Sequence, residues 1–188
     1  MFIVIALLLI GSLGVAQELG LKGVGGSLGY VSVSFNNGTS TESLGGLAFA
    51  GHAYLGEISK GIGLYPEVQY FSTSKDVSGA SWKLSDFAIN ANVHYAIAME
   101  GQLKPYVGGG LGYNSLSSTV DIPAISAGFF TIPGTTYTSS TSRIGINLLA
   151  GADYKMNDQM SLFIEPRYVL ASDFNHFLVK VGATFEMK

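Results

Sequence analysis

The sequence predicts an all-β chain that folds as an eight-stranded antiparallel up-and-down transmembrane β-barrel behind a signal peptide. Three observations carry this. Charged residues make up only 12% of the 188 residues against 47% apolar, where soluble domains carry roughly 25% charged. After residue 17 most of the chain alternates apolar and polar positions with period two, the pattern of strands rather than helices. No later segment is a long apolar run, so a chain integral to a membrane must close its sheet, because lipid offers an open edge no hydrogen-bond partner.

The N-terminus stands apart. Phe2 to Ile10 is unbroken apolar sequence, followed by Gly11-Ser12-Leu13-Gly14-Val15-Ala16. Small residues at Gly14 and Ala16 mark a cleavage site before Gln17, so residues 1–16 read as a secretory signal peptide. The run is too short for a membrane-spanning helix, which needs about 20 residues. The mature barrel is then residues 17–188.

The strands follow in order. Leu19 to Phe35 is glycine-rich and reads as a bulged first strand. Leu47 to Leu55 alternates, with His52 and Tyr54 on its second face. Ile62 to Ser72 sets Leu64, Pro66, Val68 and Tyr70 against Glu67 and Gln69. Phe87 to Ile97 is the clearest segment, with Phe87, Ile89, Ala91, Val93 and Tyr95 opposite Asp86, Asn90, Asn92 and His94. Pro105 to Ser115 sets Val107, Leu111 and Tyr113 against Tyr106 and three glycines. Arg143 to Met156 opposes Ile144, Ile146 and Leu148 to Asn147 and Asp153, with Leu149 out of pattern. Met160 to Leu170 opposes Leu162, Ile164 and Tyr168 to Glu165 and Arg167, with Phe163 and Val169 out of pattern. Phe177 to Met187 closes the series with Lys180, Thr184 and Glu186 on its polar face.

The connections alternate in length. Glu57–Gly61, Ala98–Lys104 and Asn157–Gln159 are short, whereas of the other four Asn36–Ser43, Thr73–Ser81 and Leu116–Ser142 are longer and polar and Ala171–Asn175 is short. Short periplasmic turns and longer outer loops are the habit of outer-membrane barrels, which places both termini on the periplasmic side. Aromatics then fall into two belts. Phe35, Tyr70, Phe87, Tyr113, Tyr168 and Phe177 lie at outer strand ends, and Tyr95, Tyr154 and Phe185 at periplasmic ends.

The polar face therefore lines the lumen. Its charges balance, with Lys22, Arg143, Lys155, Arg167 and Lys180 against Glu67, Asp86, Asp153, Glu165 and Glu186. An unpaired buried charge is expensive, so the expectation is a Lys22–Glu186 contact low in the barrel and a Glu67/Glu165/Arg167/Lys180 cluster higher up, filling a lumen that eight strands leave only wide enough for side chains.

The run Pro105-Tyr106-Val107-Gly108-Gly109-Gly110-Leu111-Gly112-Tyr113 resembles a strand of the small outer-membrane β-barrel superfamily, the group of the outer membrane protein A, X and W types. Leu64-Tyr65-Pro66-Glu67-Val68-Gln69-Tyr70 and Ile164-Glu165-Pro166-Arg167-Tyr168 resemble two further strands of the same group, in the same order. The resemblance implies residence in the bacterial outer membrane, with lipid, lipopolysaccharide and the barrel-insertion machinery as partners. Members usually end on an aromatic residue, whereas here Phe185 is followed by Glu186, Met187 and Lys188.

Catalytic and cofactor signals are absent from the sequence. His52, His94 and His176 sit in separate segments without metal-ligand spacing. The His-x-Ser pattern of outer-membrane lipid A deacylases fails at Leu178, and the His176, Asp173 and Ser172 group that a palmitoyltransferase would use lies in a loop of ordinary composition. There are no cysteines, and a net charge of −3 excludes a basic field for nucleic acid. No cofactor is expected, and the chain reads as a non-enzyme. The least generic part is the third outer loop, where Ile122, Ile125, Phe129, Phe130 and Ile132 form an apolar group inside Ser/Thr-rich flanks, either a surface for an extracellular partner or the tip of a longer hairpin. Three functions remain: a filled surface-contact barrel of structural or adhesion-like role, a narrow channel for small or hydrophobic solutes, and a lipid-modifying enzyme that lacks its residues.

Overall fold

Period-two alternation becomes eight long strands: β1 (Gly23–Asn36), β2 (Thr41–Tyr54), β3 (Ile62–Val77), β4 (Ala80–Ala96), β5 (Leu103–Ile122), β6 (Thr135–Lys155), β7 (Met160–Leu170) and β8 (His176–Glu186). The computed structural model describes residues 19–36, 41–77, 79–172 and 174–187, so the signal peptide predicted at residues 1–16 lies outside the described residues. Each strand pairs antiparallel with its sequence neighbour, and β1 pairs with β8 from Gly23↔Glu186 to Val33↔His176. That last pairing closes the barrel and leaves no edge around its wall.

Facing follows the alternation. Along β4 the burial changes residue by residue, with Asp86, Ala88, Asn90 and Asn92 buried and Phe87, Ala91 and Tyr95 exposed. The same reversal of soluble-protein order holds on β7, where Glu165 and Arg167 are buried while Ile164 and Tyr168 face out. Leu149, Phe163 and Val169, the residues out of pattern, point inward and are buried. On the outer wall Tyr70 pairs with Phe87, and Tyr168 with Phe177, which builds the belt expected at one end. The side chain of Phe35 lies outside the described residues.

The strands run further than alternation alone predicts. Thr73–Ser81 is mostly paired strand, turning at Gly79 with a φ of 86°. Leu116–Ser142 is largely the continuation of β5 and β6, registered from Leu116↔Thr141 to Ile122↔Thr135. Beyond it, short strands Ile125–Ala127 and Phe130–Ile132 pair as a small hairpin. A further short strand, Glu57–Ser59, sits inside the turn between β2 and β3.

Candidate functional site

The lumen is filled in layers. Glu67 on β3, Glu165 and Arg167 on β7 and Lys180 on β8 all point inward, and all four are buried. Arg167 Nη1 donates to Glu67 Oε1 at 2.5 Å and Nη2 to Glu67 Oε2 at 3.2 Å. Its Nε and Nη2 donate to Glu165 Oε1 at 3.0 and 2.7 Å. Lys180 Nζ lies 3.1 Å from Glu165 Oε1 and also pairs with Glu67. Two cations thus neutralise two carboxylates, and the guanidinium, only 1% exposed, is held between both. The bidentate fork suits arginine geometry and repays part of the cost of burying charge.

Sequence reasoning brought these four together but missed what surrounds them. Asn147 Nδ2 on β6 donates to Asn92 Oδ1 at 2.8 Å and to Asn90 Oδ1 at 3.0 Å, both on β4. Strand β5 lies between, and Gly110 sits in register with Asn92 on one side and Asn147 on the other. A Cβ at Gly110 would stand 2.8 Å from Asn92 Cα, so glycine there is what lets the amides meet above the strand. Asn90 Nδ2 then donates to Glu67 Oε1 at 3.3 Å, joining the amides to the charges. The glycine run was visible in the sequence, and inward asparagines on the strands at either side were the usable signal.

On the side of the cluster nearer the termini four rings stack across the lumen. Tyr54 lies 4.9 Å from Tyr65, Tyr65 4.0 Å from His94, and His94 4.5 Å from Tyr106, all with small interplanar angles. Tyr106 Oη donates to Glu165 Oε2 at 2.9 Å. His94 is held by stacking, with Nε2 at 3.7 Å from Glu165 Oε2. His52 pairs with Thr184 Oγ1 at 3.0 Å and meets Phe163 edge-on. The space left among His52, Tyr65, His94, Phe163 and Lys180 is about 20 Å³, room for about one water.

Toward the opposite end the filling is mainly apolar, although Asp86, in register with Phe71, is buried there too. Val31, Val33, Phe71, Leu84, Phe174 and Leu178 form one buried cluster. His176 belongs to this layer, 5.2 Å from both Phe71 and Phe174 and almost fully buried, rather than to the outer surface. Ser172 is exposed, and Asp173 lies outside the described residues, so the arrangement does not set His176 and Ser172 on one reactive surface. Among the described residues no group of three His, Asp or Glu could hold a metal ion.

The Lys22–Glu186 contact is made differently from the expectation. The strands meet through main chain, Met187 N donating to Lys22 O at 2.6 Å, while both side chains are exposed and no ion pair joins them among the described residues. At the rim both charges stay solvated, and an exposed pair gains little from contact. Of the third-loop group, Ile122, Phe129, Phe130 and Ile132 are exposed at the tip of the β5–β6 hairpin, while the side chain of Ile125 lies outside the described residues.

The sequence matches the family model described as outer membrane protein beta-barrel domain over residues 2–185. No curated protein sequence matches the chain. Among solved structures it is similar to Neisserial surface protein A, with a TM-score of 0.59, 17% identity, and coverage of 88% of this chain and 96% of that one. It is also similar to Ail, the attachment invasion locus protein of Yersinia pestis, at a TM-score of 0.50 and 13% identity, covering 89% of this chain and all (100%) of the other. A second structure of Ail, in complex with the heparin analogue sucrose octasulfate, matches at a TM-score of 0.53 and 12% identity, with coverage of 89% and 100%. At these identities the likeness is one of fold.

Proposed function

The chain belongs to the outer membrane protein beta-barrel domain family and is a protein of the bacterial outer membrane, and from that premise we propose that it acts as a filled, non-enzymatic surface-contact barrel. One observation carries the reading: the lumen is blocked at mid-height by the Arg167 network and again by the apolar layer that contains Phe71 and Leu178. A barrel without a water path works through what it displays. What this one displays is the β5–β6 hairpin, which outreaches the wall of β7 because β6 pairs with β7 only from Ile146 inward. The signal peptide at residues 1–16 and outward projection of this hairpin belong to the same proposal. The histidines support it by their surroundings, since His94 is stacked between two tyrosines and His176 is enclosed by phenylalanines.

Two measurements test it. Refolded protein in a planar bilayer should show no steady conductance step, and a steady step in the wild type would defeat the filled-barrel reading in favour of a narrow channel. Expression in a non-adherent bacterium should raise attachment to an animal-cell monolayer, and Phe129→Ser with Phe130→Ser should remove the gain. No gain in attachment would defeat the surface-contact role.

A further inference from the structure

The hairpin that caps β5 and β6 has an unusual composition for something in water. No charged residue occurs from Ile122 to Ser142, whereas the neighbouring β3–β4 hairpin carries Lys75, Asp76 and Lys83. At its apex Gly128, with a φ of 62°, turns the chain so that Phe129 is fully exposed and Phe130 is 78% exposed. Ile132 and Ile122 stand exposed beside them. The backbone there is paired within itself, Ile125↔Ile132 and Ala127↔Phe130. Below the tip the stalk is a ladder of hydroxyls. Thr119 pairs with Thr138 at 3.3 Å, Ser140 donates to Ser117 at 3.3 Å, and Thr136 donates to Asp121 at 2.6 Å. Trp82 Nε1 braces the stalk by donating to Ser118 Oγ at 2.8 Å.

Resting on the surface-contact reading above, we propose that this tip docks shallowly into an apposed phospholipid bilayer. Two properties select lipid over a protein groove, and the open edges of the two-stranded hairpin keep the docking at headgroup depth, where water still satisfies its backbone. Protein interfaces carry a polar rim with charged residues around the apolar centre, and this segment has none. Aromatic side chains over a hydroxyl-rich stem, whose charge nearest the tip is Asp121 bonded to Thr136, match the apolar-to-headgroup gradient of a membrane interface. The tip's own membrane is out of reach. From Tyr113 in the outer belt to Ile122, strand β5 rises roughly 20 Å at about 3.3 Å per residue and a tilt near 40°, and its pairing with β4 and β6 holds it upright.

The test uses the barrel in nanodiscs, mixed with neutral phosphatidylcholine vesicles and separated by flotation. Wild-type nanodiscs should rise with the vesicles at low and high salt alike. Phe129→Ser with Phe130→Ser should weaken this by about tenfold or more, with the folded barrel verified by its heat-modifiable gel migration. Phe130→Trp should keep binding and be quenched by brominated lipid present only in the vesicles. Absence of flotation, flotation unchanged in the double serine variant, or no quenching would each overturn the proposal. Tip-dependent self-association without vesicle binding would overturn it in favour of a second copy of the chain. Wild-type cell attachment in the absence of wild-type vesicle binding would sink lipid docking alone, whereas no gain in attachment by the wild type sinks the surface-contact reading with it.

Discussion

Leu178 and Lys180 are neighbours on the same inward face of β8, yet they belong to layers held by different physics. Leu178 packs with Phe71 and Val31 in a layer whose cohesion is area and volume. Lys180 joins Glu67 and Glu165 in a layer whose cohesion is stoichiometric, two positive groups against two negative ones. An apolar layer tolerates a change of shape that keeps volume. A charged layer tolerates no change that leaves a partner alone, however well the replacement fits. The same lumen is therefore plastic at one height and rigid at the next.

The sharpest way to break this contrast is to place methionine in both layers. Arg167→Met keeps length and much of the volume but leaves Glu67 and Glu165 short of a cation, and should cost about 3–5 kcal/mol. Leu178→Met should cost under about 1.5 kcal/mol. Urea unfolding of the refolded barrel in micelles measures both, and equal costs would mean that the charges contribute no more than filling.

The contrast also presupposes which wall meets lipid. Val93 faces out and Asn92 in, so Val93→Arg should destabilise by about 2–4 kcal/mol. Asn92→Ser removes one acceptor of Asn147 and should cost about 1 kcal/mol. The reverse ranking in the same unfolding assay would turn the barrel inside out. A smaller effect probes the seam between the strands. Gly110→Ala puts a Cβ at 2.8 Å from Asn92 Cα and should cost roughly 1–3 kcal/mol through overpacking. Gly109→Ala, whose Cβ would lie 3.2 Å from Asn147 O on the other face, should be milder. Equal losses at the two positions would mean that the amide bridge does not depend on the gap at Gly110.

What the sequence revealed of this arrangement follows from where each signal resides. Facing was legible because a strand in lipid alternates between hydrocarbon and a polar interior, so Val93 and Asn92 could be told apart by parity. The four-charge cluster was legible for the same reason, since Glu67, Glu165, Arg167 and Lys180 share the inward parity and must neutralise one another. The outer halves of β5 and β6 were not. With Ser, Thr and Tyr on both faces from Ser117 to Thr119 and from Thr135 to Ser142, the strands meet water on both sides and lose the alternation that marks a strand. The ring stack and the asparagine bridge were missed because rings and amides carry no charge that must be neutralised, so inward parity alone names no partner, and Asn92 and Asn147 meet only across a third strand that has no side chain at Gly110. Lys22 and Glu186 were placed correctly on the two strands whose pairing closes the barrel, but Glu186 stands opposite Gly23, the rim there is wet, and proximity alone does not make an ion pair.

The cluster has a temporal meaning as well. Glu67 on β3 is bonded to Arg167 and Lys180, residues 100 and 113 positions later in the chain. Until β7 and β8 arrive, burying the carboxylate of Glu67 would strip its water without supplying its cations. Hairpins from the first half can pair locally, but they cannot dehydrate that position cheaply. The last two strands to leave the translocation path therefore carry the counter-charges that make closure of the lumen favourable, and a chain truncated before Arg167 should stall as an open, hydrated sheet rather than seal into a smaller barrel.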